Sequence, residues 1–161
     1  MSNLRFTIFL LVLFFGHLMF YQYLTISELY PDLFLVLVVY CALHWGPVGG
    51  SISGFLCGIA QDSFSYTYFG LHALAKVLVG FIIGKARHSF FSNRNVVQGT
   101  IILVAKLFHD LIFYGVFLAR VEASFWHQII FSTIPSALYT AALGVLIFSL
   151  FGLKTRSNRS W

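Results

Sequence analysis

Six apolar runs, separated by brief polar breaks, occupy most of this 161-residue chain. They cover residues 6–24, 31–45, 47–62, 69–84, 96–119 and 129–153. Hydrophobic residues make up 59% of the chain and charged residues only 9%, against about 45–50% and about 25% in soluble domains. Too few charges remain to cover a surface that faces water, so the natural solvent of this chain is lipid. Inside a bilayer every backbone polar group has to be satisfied within the protein, and helices do this segment by segment. The expected fold class is therefore all-α: one domain over residues 1–161, a polytopic bundle of six transmembrane helices. Disorder is excluded by the high hydrophobicity. The net charge of +5 bears on membrane sidedness rather than on nucleic acid.

The first run follows Arg5 and ends in Tyr21-Gln22-Tyr23, with no small-residue cleavage site. It reads as a retained helix rather than a signal peptide. With six spans and the N-terminus inside, the inner segments hold Arg5, Lys85, Arg87, Arg94, Lys154, Arg156 and Arg159. The outer segments hold Arg120, with Glu28, Asp62 and Glu122. This sorting follows the positive-inside rule and predicts cytoplasmic termini. Tyr21, Tyr23, Tyr30, Trp45, Tyr66, Tyr68 and Trp126 fall near span ends, as an interfacial belt requires. The loops are short, and the basic tail from Lys154 is expected to meet anionic lipid. The second and third runs are short for a bilayer whose core needs about 20 helical residues. The turn Gly46-Pro47-Val48-Gly49-Gly50 joins them in a helical hairpin. That hairpin reads either as two short crossings or as a re-entrant pair, which reverses the sidedness of the N-terminus.

Gly46, Gly50, Gly54, Gly58 and Asp62 recur every four residues along the third run. Positions i and i+4 share a helix face, and a face of glycines admits another helix at close range. Each four-residue step advances about 40° beyond a full turn, so the partner crosses the stripe. The fourth run repeats the spacing with His72, Lys76, Gly80 and Gly84. An antiparallel pairing of the two runs places Asp62 near His72 and Lys76, and Gly54 and Gly50 near Gly80 and Gly84. Asp62 is expected to pair with Lys76 or His72, because a charge in lipid needs a partner. In the fifth run Lys106 and Asp110 stand at i, i+4 beside His109, where they neutralise each other. Asp62, His72, Lys76, Lys106, His109 and Asp110 thus form a candidate intramembrane polar cluster. It reads as structural glue, as a substrate pocket or as a proton path; the near balance of charges favours glue.

No HExxH, GxSxG, Walker A or CxxC pattern occurs, so no enzymatic activity is expected. Cys41 and Cys57 lie in apolar runs without metal-ligand spacing, and read as buried hydrophobes. No cofactor or metal is expected. His17 and His127 read as packing or interface residues, and the phenylalanines within the runs as lipid-facing filler.

The segment Pro31 to Gly84 resembles the rod shape-determining protein MreD family. The resemblance rests on Pro31-Asp32-Leu33, on Gly46-Pro47-x-x-Gly50-x-x-x-Gly54-Phe55-x-x-Gly58-x-x-x-Asp62, on Phe69-Gly70-Leu71-His72-Ala73-Leu74, and on Gly80 and Gly84. Lys76, Lys106 and the long fifth run are not parts of that pattern. The resemblance implies a subunit of the bacterial cell-wall elongation machinery in the inner membrane. Its implied partners are MreC, a single-span protein, the actin-like MreB, the RodA glycosyltransferase and a transpeptidase. The glycines Gly46, Gly50, Gly54, Gly58, Gly80 and Gly84 would then serve packing within the bundle or the MreC interface. The family is also distantly similar in fold to the S-components of energy-coupling-factor transporters. That similarity keeps a second expectation open, a small-molecule-binding subunit with a cavity lined by His72, Lys76, Lys106, His109 and Asp110.

Overall fold

The computed structural model describes residues 15–16, 31–63, 69–87, 95–117 and 129–150. These residues form helices α1 (Leu33–Asp62), α2 (Leu71–Ala86), α3 (Asn95–Phe117) and α4 (Ile134–Leu150), with a π-helical turn, Ile129–Thr133, leading into α4. No strand occurs among the described residues. Three stretches are long and apolar enough to cross a membrane: Leu33–Asp62, Val96–Val116 and Phe131–Ser149. Four helices stand among the described residues, where six were expected over the whole chain. The first expected span lies outside them apart from Phe15 and Gly16, and the second and third are joined in α1. Arg5, Arg94, Arg120, Glu122 and the tail from Lys154 also lie outside them.

Helix α1 is folded in two at Gly46, whose φ of 74° and ψ of −160° belong to a region only glycine adopts without strain. Pro47 follows, and proline both disfavours a helical residue before it and suits a first helical turn after it. The two arms lie side by side. A Cβ added at Gly50 would stand 2.8 Å from the Cβ of Ala42, and Ser53, whose hydroxyl donates to the Gly50 carbonyl on its own arm, lies beside Cys41 of the other. In an unbroken helix residues 41 and 53 would be about 18 Å apart.

The first arm is apolar on every side and is buried on every side from Leu33 to Leu43. Such a helix belongs at the centre of a bundle. Val36 meets Ile102 and Gly144, and Tyr40 packs edge-on against Phe148. The second arm runs antiparallel to α2, glycine face inward, with Gly50 against Gly80 and Gly58 against Ala73. Helix α3 buries Ile101, Ile102, Ala105, Lys106, His109 and Asp110, an i, i+3, i+4 stripe at helical period. Its other face exposes Val96, Val104, Phe108 and Leu111. Exposed apolar side chains on α1, α2 and α4 as well complete an outer surface suited to lipid.

Candidate functional site

Four helices meet at a chain of buried charges. Asp32, at the start of α1, caps its own helix: Oδ1 accepts the Leu35 N–H at 2.9 Å. Its other oxygen, Oδ2, accepts from Lys76 Nζ on α2 at 2.6 Å. Lys76 is 0% exposed, and its ammonium also reaches His109 Nε2 on α3 at 3.4 Å. The ammonium has only donors, so Nε2 accepts and the imidazole proton sits on Nδ1. Nδ1 then donates to Asp110 Oδ1 at 2.9 Å. The same oxygen accepts from Lys106 Nζ at 2.6 Å. Helix α4 joins through Thr140, whose Oγ1 accepts the Asp32 N–H at 3.2 Å and donates to the Ser136 carbonyl at 2.8 Å. With a neutral imidazole the chain Asp32–Lys76–His109–Asp110–Lys106 carries two negative and two positive charges. Each charge has a partner, the condition under which ions persist in hydrocarbon.

His72 flanks this chain. Its ring stacks on Phe113 with centroids 4.3 Å apart, and lies parallel to His109 at 5.6 Å. Its buried Nδ1 has no hydrogen-bond partner.

Asp62 stands apart from the chain, and the expected pairing with Lys76 or His72 side chains is corrected. Its carboxylate accepts three backbone N–H groups at the start of α2: Gly70 at 3.0 Å, His72 at 3.1 Å and Ala73 at 3.0 Å. The cause is geometric. Gly70, at φ 95°, precedes α2 without a side chain to cap it, and the first N–H groups of any helix lack partners within it. A carboxylate there also suits the helix dipole. Lys76 sits three residues further along α2 and turns to Asp32 instead. Sequence reasoning placed Asp32 only as a helix start. The signal that could have found its second role was the second intramembrane lysine: Lys106 has Asp110 at i+4, whereas Lys76 has no carboxylate on its own helix.

The glycines line one seam. Gly46 meets Gly84 at the hairpin turn, Gly50 meets Gly80, and Gly54 meets the backbone of Lys76. The register is thus one four-residue step from the expected one, in which Gly54 faced Gly80. Added Cβ atoms at Gly50, Gly54, Gly58, Gly80 and Gly84 would run into backbone atoms of the opposite helix. Cys41 and Cys57 are free and buried. No group of His, Cys, Asp and Glu among the described residues has metal-binding geometry.

A family profile described as rod shape-determining protein MreD matches residues 2–156. The chain belongs to the MreD family. No curated protein matches it, and no solved structure does. Membership gives the chain a role in rod-shape determination, within the shape system that includes MreB and MreC. It also agrees with the three apolar stretches in making this a membrane protein. The matched range contains both the glycine seam and the ion chain.

Proposed function

We propose that this chain is a non-enzymatic scaffold subunit of the cell-wall elongation assembly. It sits in the bacterial inner membrane with both termini cytoplasmic, holds MreC, and through MreC organises MreB, RodA and the transpeptidase. The observation that supports a scaffold over a transport subunit is the mutual satisfaction of the interior charges. Asp32, Lys76, Lys106 and Asp110 bind one another and tie four helices together. A transport subunit needs those groups turned toward a cavity. The two clefts described beside α3 are apolar and lined by other residues, Val79, Ile83 and Ile101 in one and Leu107, Leu111 and Thr133 in the other. The glycine seam is enclosed within the bundle, so MreC is held by outward-facing side chains.

Neutralising the chain without removing its shape tests this reading. Asp32→Asn or Lys76→Met alone leaves an uncompensated buried charge, at a cost of about 3–5 kcal/mol. The double variant Asp32→Asn/Lys76→Met removes both charges, and asparagine still caps α1. A scaffold predicts that each single variant lowers MreC co-purification and rounds the cells, and that the double variant restores both. A folded, monodisperse double variant that still fails to support rod shape would show that the charges do chemistry.

A further inference from the structure

The end of the bundle that holds the Gly46 turn carries positive charge with no side-chain carboxylate to answer it. The chain has five acidic residues, Glu28, Asp32, Asp62, Asp110 and Glu122. Asp32 and Asp110 are taken by Lys76 and Lys106 in the ion chain, and Asp62 caps α2 at its opposite end. Glu28 and Glu122 are expected on the outer side. Lys85 lies nine residues beyond Lys76 along α2, about 14 Å at 1.5 Å per residue. That exceeds the Debye length of about 8 Å at physiological salt. Helix ends do not make up the deficit, because they carry partial charges only. Those of the two arms of α1, one stopping and the other starting at Gly46, are opposite in sign.

The two cations at this end differ in setting. Lys85 is exposed, where water and salt ions neutralise it. Arg87 is partly buried. A Cβ added at Gly46 would stand 2.9 Å from its Nη1 and 3.2 Å from its Cζ, so the guanidinium lies against the turn in space that only a glycine leaves open. It is thus held in place before any ligand arrives. A guanidinium carries five N–H donors, enough both for its bonds within the protein and for a phosphate, whose geometry its fork matches. Trp45 and Val48, on either side of the turn, are 54% and 69% exposed. A fixed cation flanked by an exposed indole and an exposed aliphatic side chain suits a lipid headgroup better than a water-soluble acidic segment, since indoles gather at headgroup level and basic side chains there attract anionic lipid.

We infer that Arg87, held at the Gly46 turn, binds the phosphodiester of one anionic glycerophospholipid, with the apolar part of that lipid against Trp45 and Val48. The full chain, placed in nanodiscs with equal amounts of phosphatidylglycerol and phosphatidylcholine of one acyl composition, tests the assignment by native mass spectrometry of retained lipid. The wild-type protein is expected to retain phosphatidylglycerol about fivefold over phosphatidylcholine, the factor that one basic side chain near an anionic surface supplies. Arg87→Gln abolishes the preference. Lys85→Gln, which removes the same charge from an exposed place, leaves it. A second measurement needs no variant: phosphatidylglycerol with a photoreactive group in its headgroup is expected to label residues 44–48 of the wild-type chain, and excess glycerol phosphate does not prevent it. Equal retention of the two lipids by the wild-type protein overturns the inference, as does labelling confined to the basic tail from Lys154. An equal loss of preference in Lys85→Gln and Arg87→Gln overturns it too, by making the attraction a diffuse one. Loss of MreC co-purification in Arg87→Gln with the lipid preference intact gives the guanidinium to an acidic protein segment, and likewise overturns it.

Discussion

Asp62 closes the glycine stripe of α1 and accepts three N–H groups of the turn that opens α2. Its spacing in the sequence marked it as special, but the partner was not legible there. A carboxylate within reach of a lysine suggests an ion pair, whereas the stronger demand comes from helix N–H groups that a glycine cap leaves open. Capping substitutions typically cost about 0.5–2 kcal/mol, and three bonds to one buried carboxylate place this site at the upper end. Asp62→Ala is therefore expected to lower the thermal unfolding midpoint in detergent. Asp62→Asn, which keeps one acceptor oxygen, should recover about half of the loss. An Asp62→Asn protein as unstable as Asp62→Ala would show that the charge, and not the capping bonds, matters. Asp32 carried even less signal, because its partner lies 44 residues away on another helix.

The α1 hairpin was legible as an element. Gly46-Pro47 in an apolar stretch marks a break, and the four-residue stripe marks the face that meets α2. The register was not legible, since a repeat of four fits equally well when slid by four. Backbone contacts decide it, with Gly46 at Gly84 and Gly50 at Gly80. The fold-back is open to a direct test. The two arms touch at Ala42 and Gly50 and bring Ser53 beside Cys41, so Ser53→Cys should form an intramolecular crosslink with Cys41 under mild oxidation or with a short bifunctional thiol reagent. An unbroken helix would hold the two residues about 18 Å apart and give no such product.

At the scale of the whole molecule, the arms of α1 are short for the membrane they occupy. They run from Leu33 to Trp45 and from Pro47 to Asp62, about 20 and 24 Å at 1.5 Å per residue, against a hydrocarbon core of about 30 Å. A bundle built around them favours a thinned bilayer. Reconstituted in phosphatidylcholine of graded chain length, the protein should show its highest unfolding midpoint in the shorter-chain lipids. A maximum in the thickest bilayers would contradict this. All-helical architecture and membrane solvent were legible from composition and run length alone. The meeting of four helices at one ion chain was not, because it depends on the order in which helices pack around the first arm. That arm also bears on how the protein is made. Its residues leave the ribosome before those of α2, α3 and α4, which enclose it, and Asp32 precedes its counter-ion by 44 residues. A lone carboxylate enters hydrocarbon only at the cost of taking up a proton. The segment from residue 31 to residue 87 is therefore expected to leave the translocation machinery together, as a three-limbed unit in which Lys76 has already reached Asp32.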